Sequence, residues 1–116
     1  MITLYHNPRC SKSRAALELL RSHGQEPEVL LYLDTPPTAK ALKTLLGKLG
    51  VNARTLLRTG EEAYKTLRLD NEKLTETALI KAMVENPKLI ERPIAILGER
   101  AIIGRPPENV LQLLYI

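Results

Sequence analysis

The chain contains no phenylalanine and no tryptophan, and only four tyrosines. Its core must therefore be built from Leu, Ile, Val and Ala with a few Tyr. No array of aromatic side chains is available on which nucleic-acid bases could stack. There is one cysteine, at position 10, so no internal disulfide can form. No apolar run approaches the roughly 20 residues that a membrane span needs. The opening residues, MITLYHN, lack the basic, apolar and small-residue regions of a secretory signal. These absences lead to the expectation of a soluble cytoplasmic chain in a reducing compartment. Long runs of Lys or Arg are also missing. The formal charge is +4, from 17 Lys and Arg against 13 Asp and Glu. That balance suits a small anionic partner, and neither a nucleic acid nor a membrane surface is expected. No metal site and no bound cofactor are expected either.

What is present is 116 residues, enough for one domain with a real core. Residues 2–5, ITLY, read as a short buried strand. A helix follows over 13–23, with Ala16, Leu17 and Leu20 on one face and Gly24 as its stop. Five apolar residues in a row, VLLYL at 29–33, read as a second strand. Strand, helix and strand make a βαβ unit, whose two strands should be parallel. Thr35-Pro36-Pro37 then breaks the chain.

From 38 to 89 the pattern is helical. Ala39, Leu42, Leu45, Leu46 and Leu49 recur at helical spacing between an N-cap at Thr38 and a C-cap at Gly50. Residues 53–69 read as one or two short helices. A further helix covers 75–85, ending at Asn86-Pro87. Strand character then returns in IAIL (94–97) and AII (101–103), joined by Gly98-Glu99-Arg100 as a hairpin. Pro106-Pro107 opens a last helix with Val110, Leu111 and Leu114 inward. The expected fold is α/β: a four-stranded mixed sheet, βαβ … ββα, from residues 1–34 and 90–116. A helical insert occupies 38–89, and the whole of 1–116 forms one domain.

The one cysteine lies in HNPRCSKSR, residues 6–14, where the first strand passes into the first helix. The unpaired N–H groups and the dipole of a helix N-terminus favour a thiolate. Arg9, Lys12 and Arg14 act in the same direction, as would His6 if protonated. A thiolate there is a nucleophile, and the same amides and cations would hold an oxyanion beside it. Its pKa should lie below the free-thiol value of about 8.5. A buried, inert cysteine is the alternative, but these polar flanks are poor company for a core residue. The run Cys10-Ser11-Lys12-Ser13 lacks the second thiol of a C-x-x-C pair, so any redox cycle needs a thiol from outside. A C-x5-R phosphate loop is excluded because position 16 is Ala16. Three distant arginines, Arg58, Arg92 and Arg105, lie at element ends. A guanidinium fork matches a tetrahedral oxyanion, although residue type alone leaves each of them open to a solvated surface role.

The segments YHNPRCSKSR (5–14), EPEVLLYLDTPPT (26–38), LLR (56–58), NPKLIERPIAI (86–96) and GRPPENVL (104–111) resemble the glutaredoxin-coupled arsenate reductase family, which has a thioredoxin-like fold. The resemblance implies that Cys10 is the nucleophile that attacks arsenic. It implies that Arg58, Arg92 and Arg105 bind the oxyanion and that His6 favours the thiolate electrostatically, with Arg14 on the same side. It also implies a cis bond before Pro93. In the implied cycle Cys10 displaces an oxygen of arsenate, glutathione attacks the adduct as co-substrate, and a glutaredoxin removes the glutathione. The best-known members have Gly-Thr after the cysteine where this chain has Ser11-Lys12, which changes the amides and charge nearest the anion. Two other readings compete with this one. A monothiol glutaredoxin-like protein would share C-x-x-S, but it would carry apolar-Val-Pro and Gly-Gly where this chain has Glu91-Arg92-Pro93 and Gly104-Arg105-Pro106. A non-enzymatic regulator that binds RNA polymerase would use a C-x-x-C pair and would not need the arginines.

Overall fold

The computed structural model describes residues 1–115. The chain divides into two compact units. One holds residues 1–35 and the chain from Arg92 onward, and the other holds Pro36–Glu91.

The first unit is built on four strands: β1 (Thr3–Tyr5), β2 (Glu28–Leu30), β3 (Ile94–Leu97) and β4 (Arg100–Ile103). Their order is β2-β1-β3-β4. The β1–β2 pair is parallel, while β1–β3 and β3–β4 are antiparallel. A parallel pair needs a crossover rather than a hairpin, and helix α1 (Ser11–Ser22) supplies it. Side chains alternate along a strand, so Ile2 and Leu4 fall on one face. There they join Ala16 and Leu20 of α1, Ala95 of β3, and Val110 and Leu113 in a buried apolar cluster.

Element boundaries and the winding of the last helix differ in places from those read in the sequence. Helix α1 starts at Ser11, with Cys10 as its N-cap. Strand β2 stops at Leu30, not at position 33. Its partner β1 ends at Tyr5, opposite Leu30, so residues 31–33 have no neighbouring strand to extend along. The chain turns instead, with the Asp34 and Thr35 N–H groups both donating to the Leu31 carbonyl at 3.0 Å. That turn carries Tyr32 inward to stack on Tyr5, ring centroids 5.9 Å apart. The last helix, Pro107–Leu114, is a 3₁₀ helix. With three residues per turn, positions 110 and 113 stack in one column. Val110 and Leu113 are therefore the buried pair, whereas Leu111 and Leu114 are only partly covered.

The second unit is helical: α2 (Ala39–Leu49), α3 (Ala53–Leu56), α4 (Glu62–Thr66), α5 (Glu76–Glu85) and a 3₁₀ turn at Pro87–Leu89. Thr38 caps α2 by accepting from the Ala41 N–H at 3.0 Å, and Thr75 caps α5 by accepting from Ala78 at 3.1 Å. Each such cap contributes about 1 kcal/mol. Gly50 ends α2 in the left-handed region, φ 71°, where a side chain would be strained. Leu42, Leu45, Leu46, Leu79 and Met83 are buried, with α2 and α5 packed on each other. An isolated antiparallel bridge pairs Leu57 with Ile90. It sets Arg58 beside Glu91 at the end of the unit. No helix among the described residues is long and apolar enough to cross a membrane.

Candidate functional site

The site begins where β1 runs out. The His6 N–H still donates to the Leu30 carbonyl at 2.9 Å, continuing the ladder one residue past the strand. Beyond it the chain turns. Asn7 drives the turn, its side-chain oxygen accepting from the Arg9 N–H at 3.0 Å and its carbonyl accepting from the Cys10 N–H at 2.9 Å. Such local bonds are why Asn favours turns. Cys10 is extended, with φ −95° and ψ 122°, and its carbonyl accepts from the Arg14 N–H at 3.0 Å. The thiol is thus held, half-buried, at the N-terminus of α1. A cleft of about 390 Å³ lies beside the turn, lined by His6, Asn7, Pro8, Arg9, Leu31, Leu33 and Asp34.

Several influences compete at the Cys10 sulfur. Burial pushes its pKa up. Against that, the backbone N–H groups of Ser13 and Lys12 and the guanidinium of Arg92, as hydrogen-bond donor and as charge, favour the thiolate. The net effect is a pKa below the ordinary thiol value. The Cys10 side chain makes no cap hydrogen bond to the first turn of α1. It is the charged form that the amides stabilise.

Arg92 reaches the sulfur from the turn before β3. The β3–β4 register pairs Ile94 with Ile103, so the residues entering β3 lie next to those leaving β4. The Gly104 N–H donates to the Pro93 carbonyl at 2.8 Å, and the Arg105 Nε donates to the Arg92 carbonyl at 2.9 Å. Arg92, Pro93, Gly104 and Arg105 therefore form one braced corner. Both the Arg92–Pro93 and the Arg105–Pro106 peptide bonds are cis.

A family model described as the ArsC family matches residues 5–113. The chain belongs to the ArsC family. It is 49% identical over 110 residues to the arsenate reductase of Neisseria meningitidis serogroup A, covering 94% of each chain. It is 57% identical over 113 residues to the uncharacterized protein YfgD of Escherichia coli K12, covering 97% of this chain and 95% of that one. Among solved structures, the arsenate reductase from Vibrio cholerae superposes with a TM-score of 0.94 at 49% identity, covering 96% of this chain and 95% of that one. The mixed sheet with its helices is the thioredoxin-like fold of these ArsC proteins.

The residues singled out in this ArsC chain fall into distinct places. Cys10, Arg92, Pro93 and Arg105 all lie in the first unit, and Arg92 acts directly on the sulfur. His6 is buried, and its pKa is lowered by burial and then by the charges of Arg21 and Arg14. Each of these effects disfavours a positive charge on His6. Arg14 is exposed, and its Nη1 donates to the Pro8 carbonyl at 2.9 Å, bracing the turn. Arg58 lies in the second unit, half-buried between two carboxylates. Its Nη1 is 2.6 Å from Glu91 Oε1 and its Nε is 3.5 Å from Glu61 Oε2.

Two residues of the ArsC site were not singled out in the sequence. Ser13 is fully buried, and its hydroxyl holds both Asn7 and His6. Gly104 has no room for a side chain: a Cβ there would lie 2.8 Å from Pro93 Cγ and 2.9 Å from Val110 Cγ1. The signal for Gly104 was its place in GRPP, whereas nothing local marked Ser13 as buried. Among the described residues no group of three or more His, Cys, Asp or Glu side chains is gathered as metal ligands would be.

Proposed function

We propose that this chain reduces arsenate to arsenite, with Cys10 as its single nucleophile and with glutathione and a glutaredoxin as reductants. One observation carries the reading: a lone sulfur whose charged form is favoured by two helix N-terminal amides and by Arg92. Membership of the ArsC family and the names of its relatives supply the substrate class.

In the proposed cycle the Cys10 thiolate attacks arsenic(V) and an arsenate oxygen leaves as water after protonation. The amides and Arg92 that favour the thiolate then face the remaining arsenate oxygens, with Arg105 beside Arg92 as a second guanidinium. Such fixed donors are effective because they need no rearrangement as charge shifts. The glutathione thiolate then attacks arsenic and a second oxygen leaves as water after protonation. A glutaredoxin thiolate attacks the arsenic-bound glutathione sulfur, so two thiols become one mixed disulfide and the electron pair of the broken arsenic–sulfur bond stays on arsenic, now arsenic(III). Water hydrolyses the remaining Cys10–arsenic bond, so arsenite leaves and Cys10 is again a thiolate. Arg58 keeps the oxyanion-binding role that the resemblance gives it. An anion there must compete with Glu91 and Glu61 for the guanidinium.

The test is arsenite formation from arsenate with glutathione and glutaredoxin. Turnover by the wild-type chain, abolished in Cys10→Ser and reduced in Arg92→Ala and Arg58→Ala, is expected. Wild-type turnover no greater than that of Cys10→Ser would overturn the proposal.

A further inference from the structure

The geometry points to Ser13, the fourth residue of the Cys10-Ser11-Lys12-Ser13 run, as a positioning residue for the Cys10 thiolate, with His6 as its hydrogen-bond partner. The inference rests on Cys10 being the reactive group, but on no particular substrate.

Ser13 touches the site from two sides. Its backbone N–H is among the amides that favour charge on the Cys10 sulfur. Its hydroxyl points the other way, into the protein. The Oγ accepts from the Asn7 N–H at 3.0 Å and lies 2.8 Å from His6 Nδ1. A serine hydroxyl has one proton and two lone pairs. With one lone pair given to Asn7, the proton and the second lone pair remain, so the hydroxyl can hold His6 Nδ1 in either tautomer.

The bond chain runs from sheet to sulfur. His6 is fixed to the sheet by its N–H bond to the Leu30 carbonyl. Its ring holds Ser13, which is fully buried within the first turn of α1. The direction of the Ser13 N–H toward Cys10 is thus set from β1 and β2, not by the helix alone. Asn7, held by the same hydroxyl, in turn accepts the Cys10 N–H. One side chain therefore fixes both the donor that faces the sulfur and the turn that presents it. The charged groups in play are Arg92, from the turn before β3, on Cys10, and Arg14 and Arg21, from α1, on His6. None of them replaces the hydroxyl's geometry.

The test is the pH dependence of Cys10 alkylation by iodoacetamide in the full chain, a readout that needs no arsenate. Failure of the substrate reading would therefore not be mistaken for failure here. Ser13→Ala should move the midpoint to higher pH and slow alkylation at pH 6.5 by about three- to tenfold, the equivalent of one net hydrogen bond. His6→Asn places an amide, able to donate or accept, near the Nδ1 position without a titratable ring, and should stay within about twofold of wild type. His6→Leu removes the hydrogen-bond partner and should resemble Ser13→Ala. A Ser13→Ala midpoint equal to that of wild type would overturn the inference. So would His6→Asn behaving like His6→Leu, which would show that the imidazole itself is needed. Should Ser13→Ala fail to fold, the comparison of the two His6 variants still decides.

Discussion

Replacing Gly104 by alanine tests whether the braced corner is as tight as its geometry states. The new Cβ would lie 2.8 Å from Pro93 Cγ and 2.9 Å from Val110 Cγ1. Ordinary carbon contacts are about 3.5–4.0 Å, so two neighbours must each retreat by more than half an ångström. Neither is a flexible chain end. Pro93 is a ring whose carbonyl accepts from the Gly104 N–H at 2.8 Å, and Val110 belongs to the fully buried cluster. Overpacking of this kind costs about 1–3 kcal/mol. The lower entropy of an unfolded chain with alanine offsets about 0.4–1 kcal/mol of it. A net loss of about 1–2 kcal/mol corresponds to a fall in Tm of about 3–8 °C for a chain of this length. Urea and thermal unfolding of Gly104→Ala measure it, with Gly104→Val expected to lose more. A second consequence is specific to the corner: Pro93 cannot retreat without moving Arg92, so Cys10 alkylation should shift to higher pH as well. A Gly104→Ala protein as stable as wild type, with unchanged alkylation, would refute the packing argument.

Arg92→Ala removes the one side chain that both hydrogen-bonds to and charges the Cys10 environment. Alkylation at pH 6.5 should slow by about tenfold, the worth of one charge-assisted bond at a partly exposed site, and an unchanged pH midpoint would show that the amides act alone. Stability should also depend on pH through His6, whose folded pKa is depressed. Between that depressed value and about 6.5 the unfolded chain binds more protons, so stability is full above pH 6.5 and falls as pH is lowered through the window. Urea midpoints at pH 7 and pH 5 measure this; His6→Asn should lose less over that interval than wild type, and equal losses would count against a neutral buried imidazole.

Much of this protein was legible locally. The lone cysteine among His6, Arg9 and Lys12 marked the candidate site because helix N-terminal amides lie within three residues of their cap. Thr38, Gly50 and Thr75 marked helix ends because caps act over the same short range. The hairpin at 94–103 could be read because its two strands are neighbours in sequence. Contacts between distant segments were not legible, because no local pattern encodes them. Arg92 is the cation at the sulfur because the register of β1 with β3 and β4 brings its turn there, whereas the nearer Arg14 braces the Pro8 carbonyl. Strand β2 is short because β1 gives it only three residues to pair with, and the last helix is wound as 3₁₀ with Val110 and Leu113 in one buried column.

Composition and local pattern by themselves determined the α/β class and the placing of a single cysteine, with no second thiol to pair with, at the start of a helix. The tertiary structure decided the rest. Burial and the charges of Arg21 and Arg14 disfavour a charged His6, and contact with Pro93 and Val110 crowds out a side chain at position 104. The Ser13 hydroxyl joins His6 and Asn7 only once α1 is docked on the sheet. A charge state, a void and a shared hydrogen bond are properties of neighbours, and neighbours exist only after the chain has folded.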